Sequence, residues 1–102
     1  MKDIKIITTE SGYATEGLKN HIDKELQINI SLDKETAEYV LGKVSERIIK
    51  GEVIEDKSFD ETLLNCKIYF VHKNSDIVIV FPDVKRRYPW DEACQDVFVS
   101  QI

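Results

Sequence analysis

Five consecutive apolar residues, Ile77–Phe81, constrain the fold of this sequence more than any other feature. A strand with one face in water alternates apolar and polar residues, so a strand that is apolar throughout is covered on both faces. The run is also far shorter than the roughly 20 apolar residues that span a bilayer. We therefore expect the central strand of a sheet, in a chain without a membrane-spanning helix.

A second β-rich segment, Leu63–Val71, precedes this run. The residues between the two segments include Asn74 and Ser75, which favour a turn, so the segments are predicted to form a hairpin. Pro82 follows the apolar run and ends the strand, because proline has no N–H to donate to a neighbouring strand.

The segment from Asp33 to Gly51 predicts an amphipathic helix. Asp33 is a good N-cap, Glu35 lies in the first turn, and Gly51 marks the C-terminal stop. The apolar residues between them recur at three- and four-residue intervals and form one stripe, namely Ala37, Val40, Leu41, Val44 and Ile48.

Two strands and a helix are predicted before Asp33. Ile4–Thr9 is rich in β-branched residues and predicts a first strand. Thr15–Leu26 has leucine and isoleucine at four-residue intervals, which predicts a short helix with Thr15 as its N-cap. Leu26–Leu32 then alternates apolar and polar residues, which predicts a second strand with one solvent-exposed face.

The C-terminal residues predict a final helix. Pro89 suits the first turn of a helix, and Trp90 begins an apolar stripe with three- and four-residue spacing. We expect this helix to dock on the sheet with Trp90 in the core. The charged, turn-prone residues 52–62 are expected to form a surface connection, with a brief extended piece at Val53 and Ile54.

These elements follow each other in the order β-α-β-α-β-β-α. The order indicates an α+β or α/β fold, in which a mixed sheet of about four strands and three helices form a two-layer sandwich. A length of 102 residues is that of one ordinary domain, and no linker or repeat divides residues 1–102.

Composition restricts the classes of partner and compartment. The chain has 19 acidic and 14 basic residues, a formal charge of −5, which repels nucleic acid and attracts basic proteins. The N-terminal residues lack the apolar stretch of a secretory signal, so a cytoplasmic location is expected. Cys66 and Cys94 lack the spacing of a zinc site, so buried thiols and no metal or other cofactor are predicted.

Two further patterns contain residue types that take part in phosphate binding or catalysis. Gly12 and Gly17 follow a predicted strand, but the Lys-Ser/Thr pair of a phosphate-binding loop is missing, so glycine turns are expected there. His21 and His72 are the only histidines, and two histidines with a cation suffice for acid/base cleavage of RNA if they converge. Exposed histidines without a catalytic role are the simpler interpretation.

Two charged segments are the candidate partner-binding residues. The acidic segment contains Glu52, Glu55, Asp56, Asp60 and Glu61, and the basic segment contains Lys85, Arg86 and Arg87, followed by Tyr88. The basic run precedes a predicted helix N-terminus, where cations are unfavourable, so helix electrostatics do not explain it. It either pairs internally with Glu55, Asp56 or Asp60, or projects as an Arg/Tyr anchor at an interface, or contacts nucleic acid.

The sequence therefore favours a non-enzymatic, acidic protein-binding module. The leading hypothesis is an inhibitor of a basic protein partner, of the immunity-protein or antitoxin type. The alternative is a small metal-independent nuclease or hydrolase that uses His21 and His72, with Lys85, Arg86 or Arg87 clamping phosphate. A homodimer is compatible with the first hypothesis.

Overall fold

In the computed structural model, which describes residues 4–102, six strands form one mixed sheet and three helices flank it. The strands are β1 Lys5–Thr8, β2 Tyr13–Glu16, β3 Leu26–Ile28, β4 Ser58–Asp60, β5 Ile68–Lys73 and β6 Asp76–Val80. The helices are α1 Lys19–Ile22, α2 Lys34–Ile49 and α3 Asp96–Val99.

The strand order in the sheet is β1-β2-β3-β6-β5-β4. Strands β3 and β6 are parallel, whereas the other neighbouring strands pair antiparallel. The predicted α+β class and the three helices are confirmed. The predicted count of about four strands is wrong, because β2 begins before the predicted helix and includes its first two residues, and β4 lies in the predicted connection.

Helix α2 begins and ends as predicted. The Asp33 carboxylate accepts hydrogen bonds from the hydroxyl and the backbone N–H of Thr36, and these bonds lower the pKa of Asp33 below its ordinary value. Gly51 follows the helix with φ 99°, a conformation that glycine adopts without strain. The apolar stripe of α2 is buried against one face of the sheet.

The apolar run Ile77–Phe81 is the central strand that its composition predicts. Strand β6 lies between β3 and β5, and it forms the predicted hairpin with β5 through Asn74 and Ser75. Ile77 and Ile79 join the core cluster that contains the buried residues of α2. Val78 and Val80, which alternate with them and point to the opposite face, are also buried. The central strand is therefore covered on both sides.

Residues 81–102 cover the face of the sheet that lies opposite α2. Val71 pairs with Val78 and Tyr69 with Val80, so these four side chains share that face. Tyr69 contacts the rings of Tyr88 and Trp90, which places the C-terminal segment above β5.

The predicted helix over Thr15–Leu26 is reduced to the four residues of α1, and its predicted N-cap at Thr15 is wrong. Thr15 lies in β2 and does not cap a helix, because its hydroxyl accepts from Leu26 N–H and donates to Glu25. Gly12 precedes β2 at a close approach to β3, where a Cβ would overlap the carbonyl oxygens of Ile28 and Ile30. The buried leucines Leu18 and Leu26 have helical spacing in sequence but lie on different elements.

The backbone around Gly17 does bind an anionic group, which is the carboxylate of Glu25. The N–H groups of Gly17, Leu18 and Lys19 donate to Glu25 at 3.1, 3.1 and 3.3 Å. The protein's own side chain thus occupies the position that a ligand phosphate takes in a phosphate-binding loop.

The predicted final helix is reduced to the single turn α3. Ala93 has φ 62° and interrupts any helix that begins at Pro89. The predicted burial of Trp90 is also wrong, because this residue is 51% exposed. The predicted strand Leu26–Leu32 is shorter than expected, since regular pairing ends at Ile28.

Candidate functional site

Four aromatic residues form a partly exposed group, here called the aromatic cluster: Phe59, Tyr69, Tyr88 and Trp90. The rings of Tyr88 and Trp90 are stacked with centroids 5.3 Å apart and an angle of 5° between their planes. Tyr69 meets both of them edge-on, at 5.0 and 4.9 Å, and Phe59 lies 5.8 Å from Tyr69. Offset, stacked and edge-to-face pairs of this kind attract each other beyond the effect of burial alone.

Hydrogen bonds hold the cluster in place. The Tyr88 hydroxyl donates to Lys67 O at 2.5 Å, and Tyr88 N–H donates to the Asp91 carboxylate at 2.8 Å. Partial burial raises the pKa of the Tyr88 phenol above its ordinary value. The rings therefore have a fixed arrangement although Phe59 and Trp90 are about half exposed, at 53% and 51%.

The acidic segment divides into exposed and structural carboxylates. Glu52, Glu55, Asp56 and Glu61 are exposed. Asp60 instead forms an ion pair with Arg47 of α2 at 2.6 Å, and only 11% of its side chain is exposed. Partial burial works to raise the pKa of Asp60, but hydrogen bonds from Arg47, Thr62 and Leu63 outweigh burial and lower this pKa. Asp60 therefore connects β4 to α2.

Two apolar side chains project among the exposed acids. Val53 is 79% exposed and Phe59 is 53% exposed, and both line a groove of about 230 Å³ together with Glu52 and Glu55. Exposed apolar groups surrounded by charges are typical of a protein interface, which has an apolar centre and a polar rim.

The basic segment also divides into two parts. Lys85 and Arg86 are exposed, but Arg87 donates through Nε to the Asp83 carboxylate at 2.9 Å. The predicted pairing of the basic run with Glu55, Asp56 or Asp60 is therefore wrong for Arg87, whose partner is four residues away in sequence.

Asp83 organises the backbone of residues 83–95. Its two carboxylate oxygens accept from the N–H groups of Lys85, Arg87 and Gln95 as well as from the Arg87 side chain. Burial alone would raise the pKa of Asp83, but hydrogen bonds from Arg87, Gln95 and Lys85 outweigh it and lower this pKa to about 2. The resulting turn carries Tyr88 and Trp90 to the surface of β5.

The two charged segments meet at the aromatic cluster. Lys67 connects them, since its ammonium lies 3.5 Å from the Glu61 carboxylate and its backbone carbonyl accepts a hydrogen bond from the Tyr88 hydroxyl. A pocket of about 560 Å³ is bordered by residues from both segments, including Glu61, Lys67, Arg86 and Tyr88. A second groove, of about 400 Å³, runs beside Trp90 and is lined by Lys57, Tyr69, Val71 and Ile102.

The aromatic cluster, Val53, Glu52, Glu55, Glu61 and Arg86 line or adjoin these pockets, and together with Asp56 and Lys85, exposed neighbours of theirs in the sequence, they are here called the binding face. The sequence missed Phe59, Tyr69 and Trp90 as members. The position of Tyr69 in β5 indicates membership, because Tyr69 alternates with the buried residues Ile68 and Phe70 and therefore points to the opposite face of the sheet. No local pattern distinguished an exposed Trp90 from a buried one.

The two histidines border one cleft. His21 and His72 line a cavity of about 420 Å³, together with Lys24, Glu52 and several isoleucines. His72 Nε2 lies 2.8 Å from Ile54 O, and because a carbonyl only accepts, this nitrogen carries a proton. The cations named for phosphate binding lie elsewhere, since Arg86 borders the pocket beside Tyr88 and Arg87 is bound to Asp83.

Both cysteines are free thiols, and burial raises the pKa of each above its ordinary value. Cys94 is buried, whereas Cys66 is only partly buried, which modifies the expectation of two buried thiols. Across residues 4–102, no group of three histidine, cysteine, aspartate or glutamate side chains is arranged to hold a metal ion. Nor does this part of the chain contain a helix long and apolar enough to cross a bilayer.

Comparisons of the chain with known protein families, with curated proteins and with solved structures gave no match.

Proposed function

We propose that this protein is a cytoplasmic, non-enzymatic module that binds a basic protein and inhibits it by occlusion, as immunity proteins and antitoxins do. One observation carries the proposal. Glu61 of the acidic segment and Arg86 of the basic segment border one pocket, beside a partly exposed and ordered aromatic cluster.

The composition of the binding face suits protein recognition. Tyrosine, tryptophan and arginine dominate the energetics of protein interfaces, and the binding face presents Tyr69, Tyr88, Trp90 and Arg86. Because the rings are already packed against each other, little conformational entropy is lost when a partner covers them.

The charges on the binding face indicate a basic partner. The acidic segment exposes Glu52, Glu55, Asp56 and Glu61, and the whole chain carries a formal charge of −5. Surface carboxylates accelerate association with a basic protein, and salt weakens this effect.

Affinity capture with matched variants tests this function. The tagged wild type, a Glu52→Lys/Glu55→Lys/Asp56→Lys variant and a Glu10→Lys/Glu35→Lys/Glu38→Lys variant are each exposed to lysate of the source cell at low and high salt. The second variant has the same net charge as the first, but its exposed substitutions lie outside the binding face. Retained proteins are identified by mass spectrometry.

We expect one stoichiometric basic protein that the wild type and the control variant retain and the binding-face variant loses. Equal retention by all three proteins would contradict the proposal, as would loss in both variants. The inhibitory step is then checked by adding the wild type to the captured protein and measuring the activity of that protein.

A second candidate is a small metal-independent nuclease or hydrolase. It is favoured by the position of His21 and His72 on the same cleft. The cation beside them is Lys24, so Lys24 would replace Lys85–Arg87 as the group that binds phosphate.

Cleavage of RNA by purified protein tests the second candidate. If the histidines act as acid and base, His21→Ala and His72→Ala should each lower the rate by about 100-fold or more. Lys85→Ala is the control, because it changes an exposed cation that does not line the cleft. No cleavage by the wild type, or undiminished cleavage by both histidine variants, would exclude this activity.

A further inference from the structure

The cleft at the end of α2 has the architecture of a small-molecule site. Its volume of about 420 Å³ falls within the range of roughly 300–1,000 Å³ that is typical of such sites. Five isoleucines line it, and three of them, Ile48, Ile54 and Ile77, are buried members of the core cluster. A ligand would therefore rest on a rigid aliphatic surface formed by α2, β6 and the residues after α2.

The charged groups at the cleft differ in their existing partners. Glu52 lies 3.9 Å from Arg47 Nε, so its charge is partly balanced by a cation of the protein. Lys24 forms no ion pair with any group in residues 4–102. Lys24 is therefore a charged group of the cleft lining without a carboxylate partner in residues 4–102, whereas Glu52 shares the Arg47 guanidinium with Asp60.

His72 adds a hydrogen-bonding group with a defined orientation. Its Nε2–H is donated to Ile54 O, so Nδ1 of the neutral ring is an acceptor. This bond also ties β5 to the residues after α2 at one wall of the cleft.

We propose that this cleft binds a small aliphatic carboxylate, with the hydrocarbon chain on the isoleucines and the carboxylate at Lys24. A carboxylate would supply the partner that the Lys24 ammonium lacks, and the aliphatic lining favours a hydrocarbon chain over a sugar or a nucleotide. The site does not depend on the proposed binding of a basic protein, although Glu52 and Val53 border both the cleft and the binding face.

Methyl NMR of the full chain tests the proposal, because isoleucine δ-methyl groups report on the cleft directly. The protein labelled at these methyls is titrated with butyrate, hexanoate and octanoate, and separately with hexylamine. We expect saturable shifts at Ile22, Ile48, Ile49, Ile54 and Ile77, whereas Ile28, Ile68 and Ile79, which do not line the cleft, serve as internal references.

Two dependences should accompany binding. Affinity should rise by about fourfold for each methylene added to the carboxylate. Lys24→Glu should weaken hexanoate binding severalfold, whereas Lys34→Glu, the same charge change at an exposed position outside the cleft, should leave it unchanged. Ile49→Gln, at a half-exposed wall position, should also weaken binding and provides a second variant if Lys24→Glu perturbs the fold.

Several results would overturn the proposal. These are equal or tighter binding of hexylamine, shifts that are confined to methyls outside the cleft, and an absence of saturable shifts at about 10 mM octanoate, the weak end of measurable affinity. If the wild type captures a basic protein but binds no carboxylate, only the cleft site is rejected. If it binds carboxylates but captures no basic protein, only the protein-binding function is rejected.

Discussion

One face of the sheet is covered by the 16-residue helix α2, and the other is covered by residues 81–102, which contain one helical turn. The first face is packed with aliphatic side chains that are almost wholly buried. The second is held by polar contacts of Asp83 and Gln101 and by aromatic rings that remain about half exposed.

The two faces of the sheet differ in what they contribute to the protein. Burial of aliphatic surface by α2 supplies most of the stability, since this term scales with the apolar area removed from water. The C-terminal segment adds less burial, but its polar contacts fix the geometry of exposed rings. A surface that is ordered yet exposed is suited to binding, and the rings of Tyr69, Tyr88 and Trp90 lie on this side of the molecule.

The largest expected effect is on the α2 face. Leu41 is fully buried, so Leu41→Ala should lower the free energy of unfolding by about 2–5 kcal/mol through lost burial and a cavity. Val97→Ala is the matched truncation in α3, at an exposed position, and should cost less than about 0.5 kcal/mol. Urea denaturation measures both values, and similar costs at the two sites would break the comparison between the faces.

The next effect concerns the connection of the C-terminus to β6. The buried Gln101 amide pairs with the N–H and the carbonyl of Phe81, both at 2.7 Å. Gln101→Leu leaves both backbone groups without this partner and should cost about 1–3 kcal/mol. Gln101→Glu keeps an acceptor for Phe81 N–H and should disturb that bond less than Gln101→Leu does. An unchanged urea midpoint for Gln101→Leu would show that this contact does not secure the segment.

A smaller effect is the loss, at acid pH, of the stability that Asp83 gives to the C-terminal segment. The pKa of Asp83 is about 2 in the folded protein, below its ordinary value of 3.8, so the ionised carboxylate stabilises the fold above about pH 4. This contribution should be lost as the pH falls from about 4 to about 2, because protonation then removes the negative charge that strengthens four hydrogen bonds.

Melting temperatures of the wild type and Asp83→Asn test this dependence. Their difference should be constant above about pH 4 and should shrink toward pH 2. Asp33 and Asp60 also have lowered pKa values but are present in both proteins, so their contributions cancel in the difference. A difference that is independent of pH would mean that the Asp83 charge does not organise this segment.

The smallest predicted effect is a stabilisation on the α2 face. Ser45 is fully buried, and its hydroxyl has no hydrogen-bond partner within the part of the chain that the structure describes. Ser45→Ala removes this group and improves helix propensity, so it should raise the free energy of unfolding by about 1 kcal/mol. A loss of stability in urea would show that the hydroxyl has a stabilising role.

The sequence predicts the α2 face well because its signals are local. Asp33 and Gly51 bound the helix, Asn74 and Ser75 form the hairpin turn with φ of 51° and 70°, and Ile77–Phe81 is apolar throughout. Each signal lies within a few residues of the structure that it specifies.

The remaining elements depend on contacts that are distant in sequence. Strand β2 forms because Tyr13 pairs with Ile28, and its short segment contains no strong strand pattern. The predicted C-terminal helix fails because Asp83 takes the N–H of Gln95 and the chain turns at Ala93. Helical spacing from Trp90 onward could not indicate these tertiary bonds.

The candidate site was predicted in part for the same reason. Charge density identified the exposed acids and the exposed cations Lys85 and Arg86. Charge density could not distinguish Asp60 and Arg87 from these exposed residues. Their ion-pair partners, Arg47 and Asp83, are apparent only in the folded structure. Phe59 and Trp90 were not recognised, because exposure of an aromatic ring is a property of the assembled surface.

The most direct test of the central claim is to measure Trp90→Ala for both stability and binding to the captured basic partner. If Trp90 serves recognition, affinity should fall by about 30-fold or more, as at an interface hot spot, while the melting temperature changes by only a few degrees. A large loss of thermal stability with unchanged affinity would contradict the claim, because Trp90 would then act in the fold and the aromatic cluster would not be the binding face.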